Sequence, residues 1–227
     1  MWLVLAFLSA GFAGITAILA KIGLRNVNSN LATALRTIVV LLFSWLMVFI
    51  FGSASEIKDI CVKTFIFLFL SGLSTGASWL CYFKALRLGD VNKVTTIDKS
   101  STVLTMILAL IFLREKLTAV KIIGMVLIGS GTFLMIEKKK TDNSSADKRS
   151  GASLVYAMFS AVFAALTSIF GKIGIEDVES NLGTAIRTVV VLLMAWILVF
   201  AEKKQSEIRG IDKKSWLFLV LSGFTTG

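Results

Sequence analysis

The sequence predicts an all-α polytopic membrane helix bundle, made of two inverted five-helix repeats with about eight of the ten helices present. Three observations carry this prediction. Mean hydropathy is +0.84, with 56% of residues hydrophobic and only 17% charged. Apolar runs of about 20 residues, enough helix to cross a hydrocarbon core of about 30 Å, succeed one another along the chain. The second half also repeats the first at a constant offset of 151 residues.

Complete apolar segments are expected at about 2–20, 31–51, 64–83, 94–113, 117–136, 153–171 and 182–201. The first has no basic region before it and runs on into further spans, so it reads as a transmembrane helix and not a signal peptide. An eighth segment starts near Trp216 and reaches Gly227, too short to cross. Unpaired backbone groups in lipid cost several kcal/mol each, so the chain is expected to be a fragment or a truncated product.

The repeat is exact in register. Lys21-Ile22-Gly23 recurs as Lys172-Ile173-Gly174, Ser29-Asn30-Leu31 as Ser180-Asn181-Leu182, Arg36-Thr37 as Arg187-Thr188, and Leu70-Ser71-Gly72 as Leu221-Ser222-Gly223. About half of the aligned positions are identical, and the matches include polar loop residues such as Ser55-Glu56-Ile57 and Ser206-Glu207-Ile208. Chance similarity between apolar helices would not keep loop residues in register. The expected division is a first repeat over 1–137, a charged linker over 138–151 and a second repeat over 152–227, truncated within its third helix.

Five helices is an odd number, so the second repeat must lie upside down if the linker does not cross. Charge agrees. With the N-terminus outside, the inner loops hold 15 basic residues and the outer loops 6, and the richer side faces the cytoplasm. The net charge of +10 therefore belongs to helix ends and loops, and nucleic acid is not an expected partner. The absence of histidine removes His-based metal sites, Ser-His-Asp chemistry and an imidazole switch, and no metal or cofactor is expected. Cys61 and Cys81 are about 30 Å apart on a continuous helix and cannot pair with each other.

The fourth segment is the most polar. Thr95, Asp98, Ser101, Thr102 and Thr105 fall on one helical face, with Lys99 turned away from Asp98. An ionisable residue within a span commonly faces a cavity and is a functional candidate by default. The plainer alternative starts the helix later and leaves Asp98 as an N-terminal carboxylate in the headgroup region. Arg36 and Arg187 sit early in the second helix of each repeat; each either contacts an anion in the pore or snorkels back to the interface. Lys21 and Lys172 read as cations at helix C-termini, and Asn30 and Asn181 as N-caps. Gly72–Gly76 and Gly223–Gly227 are GxxxG patterns, for which helix packing is the ordinary use and a homodimer contact a further one. Gly124, Gly129 and Gly131 of the fifth segment read the same way. Trp79 precedes Cys81-Tyr82 and is a candidate to face a ligand, where the other tryptophans read as an interfacial belt.

Leu86-Arg87-Leu88-Gly89-Asp90, Ile97-Asp98-Lys99, the run Phe112-Leu113-Arg114-Glu115-Lys116-Leu117-Thr118 and the small residues from Gly124 to Gly131 together resemble the EamA domain of the drug/metabolite transporter superfamily. The resemblance covers 2–137, and the repeat extends it to 227. It implies ten helices in two inverted units, a central cavity and alternating access, and hence movement of a small metabolite or drug across the cytoplasmic membrane. It also implies that single five-helix relatives pair as dimers. The related small multidrug exporters use a carboxylate in the first helix, and this first helix has none, so their proton-coupled exchange is not carried over. The other expectation is a non-transporting membrane protein, an assembly partner or an inactive duplicate. An enzyme is not expected. The expected partners are the lipid bilayer and a small-molecule substrate.

Overall fold

The computed structural model describes residues 2–113, 118–135, 144–176 and 178–226. The predicted turn at Arg114–Leu117, the first part of the linker and Gly227 lie outside the described residues. Among the described residues the chain is an α-helical membrane bundle without strands. The first unit contributes α1 (Trp2–Gly23), α2 (Ser29–Phe51), α3 (Val62–Leu88), α4 (Val91–Lys99), α5 (Ser101–Phe112) and α6 (Ala119–Met135). The second contributes α7 (Ser144–Gly174), α8 (Ser180–Ala201) and α9 (Lys213–Phe224). Short 3₁₀ turns, Ser53–Asp59 and Gln205–Gly210, link the second helix of each unit to the third.

Six stretches are long and apolar enough to cross a membrane: Val4–Gly23, Ser29–Phe51, Val62–Leu88, Val91–Phe112, Gly151–Gly174 and Ser180–Ala201. The fifth predicted segment, α6, is an apolar helix of 17 residues and falls short of the others. Its neighbourhood is sparse: a Cβ added at Gly124, Gly129 or Gly131 meets nothing within 4 Å, so the close packing expected there is not made. Helix α7 starts at Ser144, inside the stretch read as an aperiodic linker.

The N-caps fall two residues before the expected asparagines. Asn28 accepts from the backbone N–H groups of Asn30 and Leu31, and Glu179 accepts from those of Asn181 and Leu182. The cap must precede the first free N–H groups to reach them, which Asn30 and Asn181, already inside the helix, cannot do. Their side chains reach carboxylates instead, Asn30 to Glu202 at 2.7 Å and Asn181 to Glu179 at 2.8 Å. Helix α2 ends at Gly52 in the left-handed conformation, φ 72°. The residue 151 positions later, Lys203, has φ 53° without being glycine.

Contacts between the units come in pairs related by the same offset. A Cβ on Gly72 would lie 2.7 Å from Val190 Cβ, and one on Gly223 would lie 2.8 Å from Val39 Cβ. Gly174 lies against Leu68 as Gly23 lies against Leu219. Helix α2 packs on α8, α1 on α9 and α3 on α7. The GxxxG face of α3 is thus occupied within the chain: Gly72 and Gly76 meet Val190 and Met194 of α8. A homodimer through α3 would need another face.

These contacts fix directions. Gly72 and Gly76 meet Val190 and Met194 in rising order, so α3 and α8 run parallel. Ser71 bonds Thr167, Ser78 bonds Ser160, and Ser153 bonds Ala85, so α3 and α7 run antiparallel. Thr16 meets Thr225 and Gly23 meets Leu219, so α1 and α9 are antiparallel too. The first helix of each unit opposes the third helix of the other.

One core serves both units. Leu24, Leu31, Leu35, Phe83, Leu86 and Val94 of the first pack with Ala157, Ala195, Val199 and Leu219 of the second. Large apolar side chains cover the outside, Phe7 at 77% and Val120 at 80% exposed among them, as lipid contact requires.

Candidate functional site

Small polar residues on α3 and α7 set the site's frame. Ser71, Ser74 and Ser78 are buried on α3, and Ser153 and Ser160 on α7. Small side chains let the two helices approach, and their hydroxyls bond across the contact. Ser78 Oγ donates to the Ser160 carbonyl at 3.0 Å, and the two hydroxyls lie 3.2 Å apart. Ser160 Oγ in turn donates to Asp98 Oδ1 at 2.7 Å. The carboxylate is thereby tied to the α3–α7 seam.

Asp98 stands in the last turn of α4. That helix begins at Val91 and is capped by Asp90, which accepts from the Asn92 N–H at 2.8 Å. Asp98 is therefore not an N-terminal carboxylate of its helix. Helices α4 and α5 meet at Ser100, which itself keeps helical dihedrals, φ −62° and ψ −15°. There the N–H bonds to the Ile97 carbonyl at 3.1 Å and the hydroxyl caps that same carbonyl at 2.6 Å. Asp98 and Lys99 line the larger cavity, whereas Thr105 lines a second one of about 280 Å³ between α5, α6 and α7. Thr105 Oγ1 donates to the Ser101 carbonyl of its own helix. Ser101 and Thr102 line neither cavity.

The larger cavity has a volume of about 550 Å³. Ser9, Phe12, Ala13 and Thr16 of α1 form one wall, and Ser78, Trp79 and Tyr82 of α3 another. Arg36, Asp98, Lys99 and the end of α9 at Phe224–Thr226 complete it. Arg36 is only 4% exposed. Its Nε donates to the Ser222 carbonyl at 3.4 Å, and its Nη2 donates to Thr226 Oγ1. The guanidinium carbon sits 4.9 Å from the ring centres of both Trp79 and Phe83. The side chain thus lies inside the bundle and does not snorkel. Among the described residues no carboxylate lies within 4 Å of it.

Arg187 does not share this cavity. Its Nη1 donates to Ser71 Oγ at 3.3 Å, and its buried Nε finds no partner. Gly171 makes room for it, since a Cβ there would lie 2.8 Å from Nη1. The residue that matches Gly171 at the offset of 151 is Ala20, which is buried.

Lys21 also departs from its expected role. Its ammonium donates to the Leu86 carbonyl and, at 2.6 Å, to that of Gly89, closing the C-terminus of α3 instead of its own helix. Residues that the sequence reading missed are Ser160, Tyr82 and the α1 wall. The signal for Ser160 was present, because Ser9 matches it at the offset of 151. Among the described residues no group of three or more His, Cys, Asp or Glu side chains is placed to hold a metal ion.

The model of the EamA-like transporter family matches residues 1–137. The chain belongs to this family. This EamA-like chain is 43% identical over 134 residues to an "uncharacterized transporter in cobO 3′ region" of a Sinorhizobium species, across 59% of this chain and 95% of that protein. It is 25% identical over 150 residues to the uncharacterized transporter YxxF of Bacillus subtilis strain 168. That match spans 64% of this chain and 45% of the relative, just under half its length. The EamA-like chain is thus a multi-pass membrane protein of a transporter family, and the matched region carries Arg36, Trp79, Asp98 and Lys99.

Proposed function

We propose that this chain moves a small molecule across the cytoplasmic membrane by alternating access, through the cavity bounded by α1, α3 and α4. The observation that carries the reading is Arg36, buried in the apolar helix α2, and Asp98 of the polar helix α4 lining one cavity. Buried charges among spanning helices are costly and are typically kept for a ligand or ion path. The paired contacts at the offset of 151 support two related units that rock against each other, the arrangement many transporters use. The matching contacts of Arg36 and Arg187 support it further: each reaches the equivalent serine of the other unit, Ser222 and Ser71. Asp98, Lys99 and Trp79 contact the substrate or its coupling ion, while Ser101 and Thr102 do not.

The test compares small molecules retained and released by cells carrying the chain, the chain with Asp98→Asn, and neither. The expected result is a solute whose distribution changes with the chain and reverts with Asp98→Asn at equal membrane abundance. An identical profile in all three cells would leave a non-transporting membrane protein as the reading.

A further inference from the structure

We infer that the cavity takes an organic anion, a monocarboxylate with a planar apolar body, whose carboxylate rests on Arg36. This rests on the transport reading above and names the class of substrate.

Charge comes first. Arg36 is cationic at any physiological pH, and its 4% exposure keeps it out of bulk water. A buried cation requires a counter-charge, and no carboxylate of the described residues lies within 4 Å of it. Asp98, the carboxylate that shares the cavity, is engaged by Ser160 on the α7 side. Lys99 adds a second cation to the lining. The two cations Arg36 and Lys99 outnumber the one carboxylate, Asp98, in the lining, so the cavity favours a ligand of negative charge.

Geometry comes second. Arg36 spends Nε on the Ser222 carbonyl and Nη2 on the Thr226 hydroxyl. Neither bond uses Nη1, and among the described residues that leaves its donors for a carboxylate. The Trp79 and Phe83 rings lie 4.9 Å from the guanidinium carbon and hold it in place. Four aromatic side chains, Phe12, Trp79, Tyr82 and Phe224, line the cavity among hydroxyl groups. An aromatic body packs there by offset or edge contacts. The volume of about 550 Å³ lies within the range of small-molecule sites.

The experiment is equilibrium binding to the full chain in lipid nanodiscs, with benzoate, phenylacetate and indole-3-acetate as probes. Phenylacetamide and 2-phenylethylamine serve as the neutral and cationic counterparts. The expected result is saturable binding of at least one acid, with the amide weaker by about tenfold or more, the scale of one lost charge-assisted contact. The amine is expected not to bind. Arg36→Gln lowers acid binding by about tenfold or more, and Arg36→Lys falls between, since an ammonium keeps the charge but loses the planar fork. If Arg36→Gln does not fold, Lys99→Gln lowers binding by about threefold and Trp79→Leu weakens all planar acids together. Equal binding of acid and amide, tighter binding of the amine, or no binding by any acid overturns the inference. Flux in proteoliposomes separates the two claims. Acid binding without flux sinks the transport reading and keeps the anion site. Flux of neutral or cationic solutes alone keeps transport and sinks the anion site.

Discussion

Asp98 reaches the α7 side through one hydroxyl, Ser160 Oγ at 2.7 Å, and Ser160 is held in turn by Ser78. Ser160→Ala removes the donor that orients the carboxylate. A hydrogen bond to a charged group is worth about 1.5–3 kcal/mol, so flux is expected to fall about tenfold while Asp98→Asn abolishes it. Flux measured at matched membrane abundance checks the order of the two variants. Outside the membrane, Glu179 caps α8. Slight burial works to raise its carboxyl, but hydrogen bonds from the Asn181 and Leu182 N–H groups and from the Ser53 and Asn181 side chains outweigh it and hold the group below its ordinary 4.5. A depressed acid stabilises the fold above its unfolded value and stops doing so as pH falls through the folded one. Glu179→Ala therefore costs about 1 kcal/mol at pH 7, and the difference from the parent disappears well below pH 4.5. Thermal unfolding at both pH values measures it. Much of this site was legible in the sequence: Asp98, Lys99, Arg36 and Trp79 stood out as ionisable or aromatic residues inside apolar runs. Which way Arg36 points was not legible, because snorkelling and burial use the same sequence position. Its burial depends on Trp79, Phe83 and Ser222, residues from 43 to 186 positions away.

At the scale of elements, the six long spans and the split between the units follow from apolar length and the offset of 151. The boundary between α4 and α5 at Ser100 does not, since Asp98-Lys99-Ser100-Ser101 contains no proline or glycine and reads as continuous helix. It depends on a side chain competing for a backbone carbonyl, Ser100 Oγ for Ile97, which periodicity does not report. The two ends of α2 and α8 yield a direct test. Gly52 takes the left-handed conformation at φ 72° without cost, and Lys203 takes it at φ 53° with a Cβ in the way. Lys203→Gly is expected to stabilise the chain by about 1 kcal/mol, and Gly52→Lys to destabilise it similarly, both by thermal unfolding in detergent. Close approach of α3 to α8 is the second test. A methyl at Gly72 would press on Val190 at 2.7 Å and on the Arg187 carbonyl at 2.9 Å. Backbone cannot yield as a side-chain tip can, so Gly72→Ala is expected to cost about 1–3 kcal/mol, and Gly124→Ala, facing open space inside α6, to stabilise by about 0.5–1 kcal/mol.

At the scale of the whole molecule, the units interlock so that neither has a core of its own. Leu219 of α9 packs beside Gly23, and Leu68 of α3 packs beside Gly174. The antiparallel setting of α1 against α9 and of α3 against α7 places corresponding loops at opposite ends of the bundle. Polar contacts agree. Asn30 at the start of α2 meets Glu202 at the end of α8, and the Glu179 N–H meets Glu56 of the loop after α2. The central claim is that two like units lie inverted around one cavity. Cysteine accessibility tests it most directly. In a Cys61→Ser, Cys81→Ser background, Asn26→Cys and Glu176→Cys mark the same loop in the two units. The account predicts that a membrane-impermeant maleimide applied to intact cells labels position 176 and not position 26, and that position 26 is labelled once the membrane is opened. Labelling of both positions from the same side would contradict it.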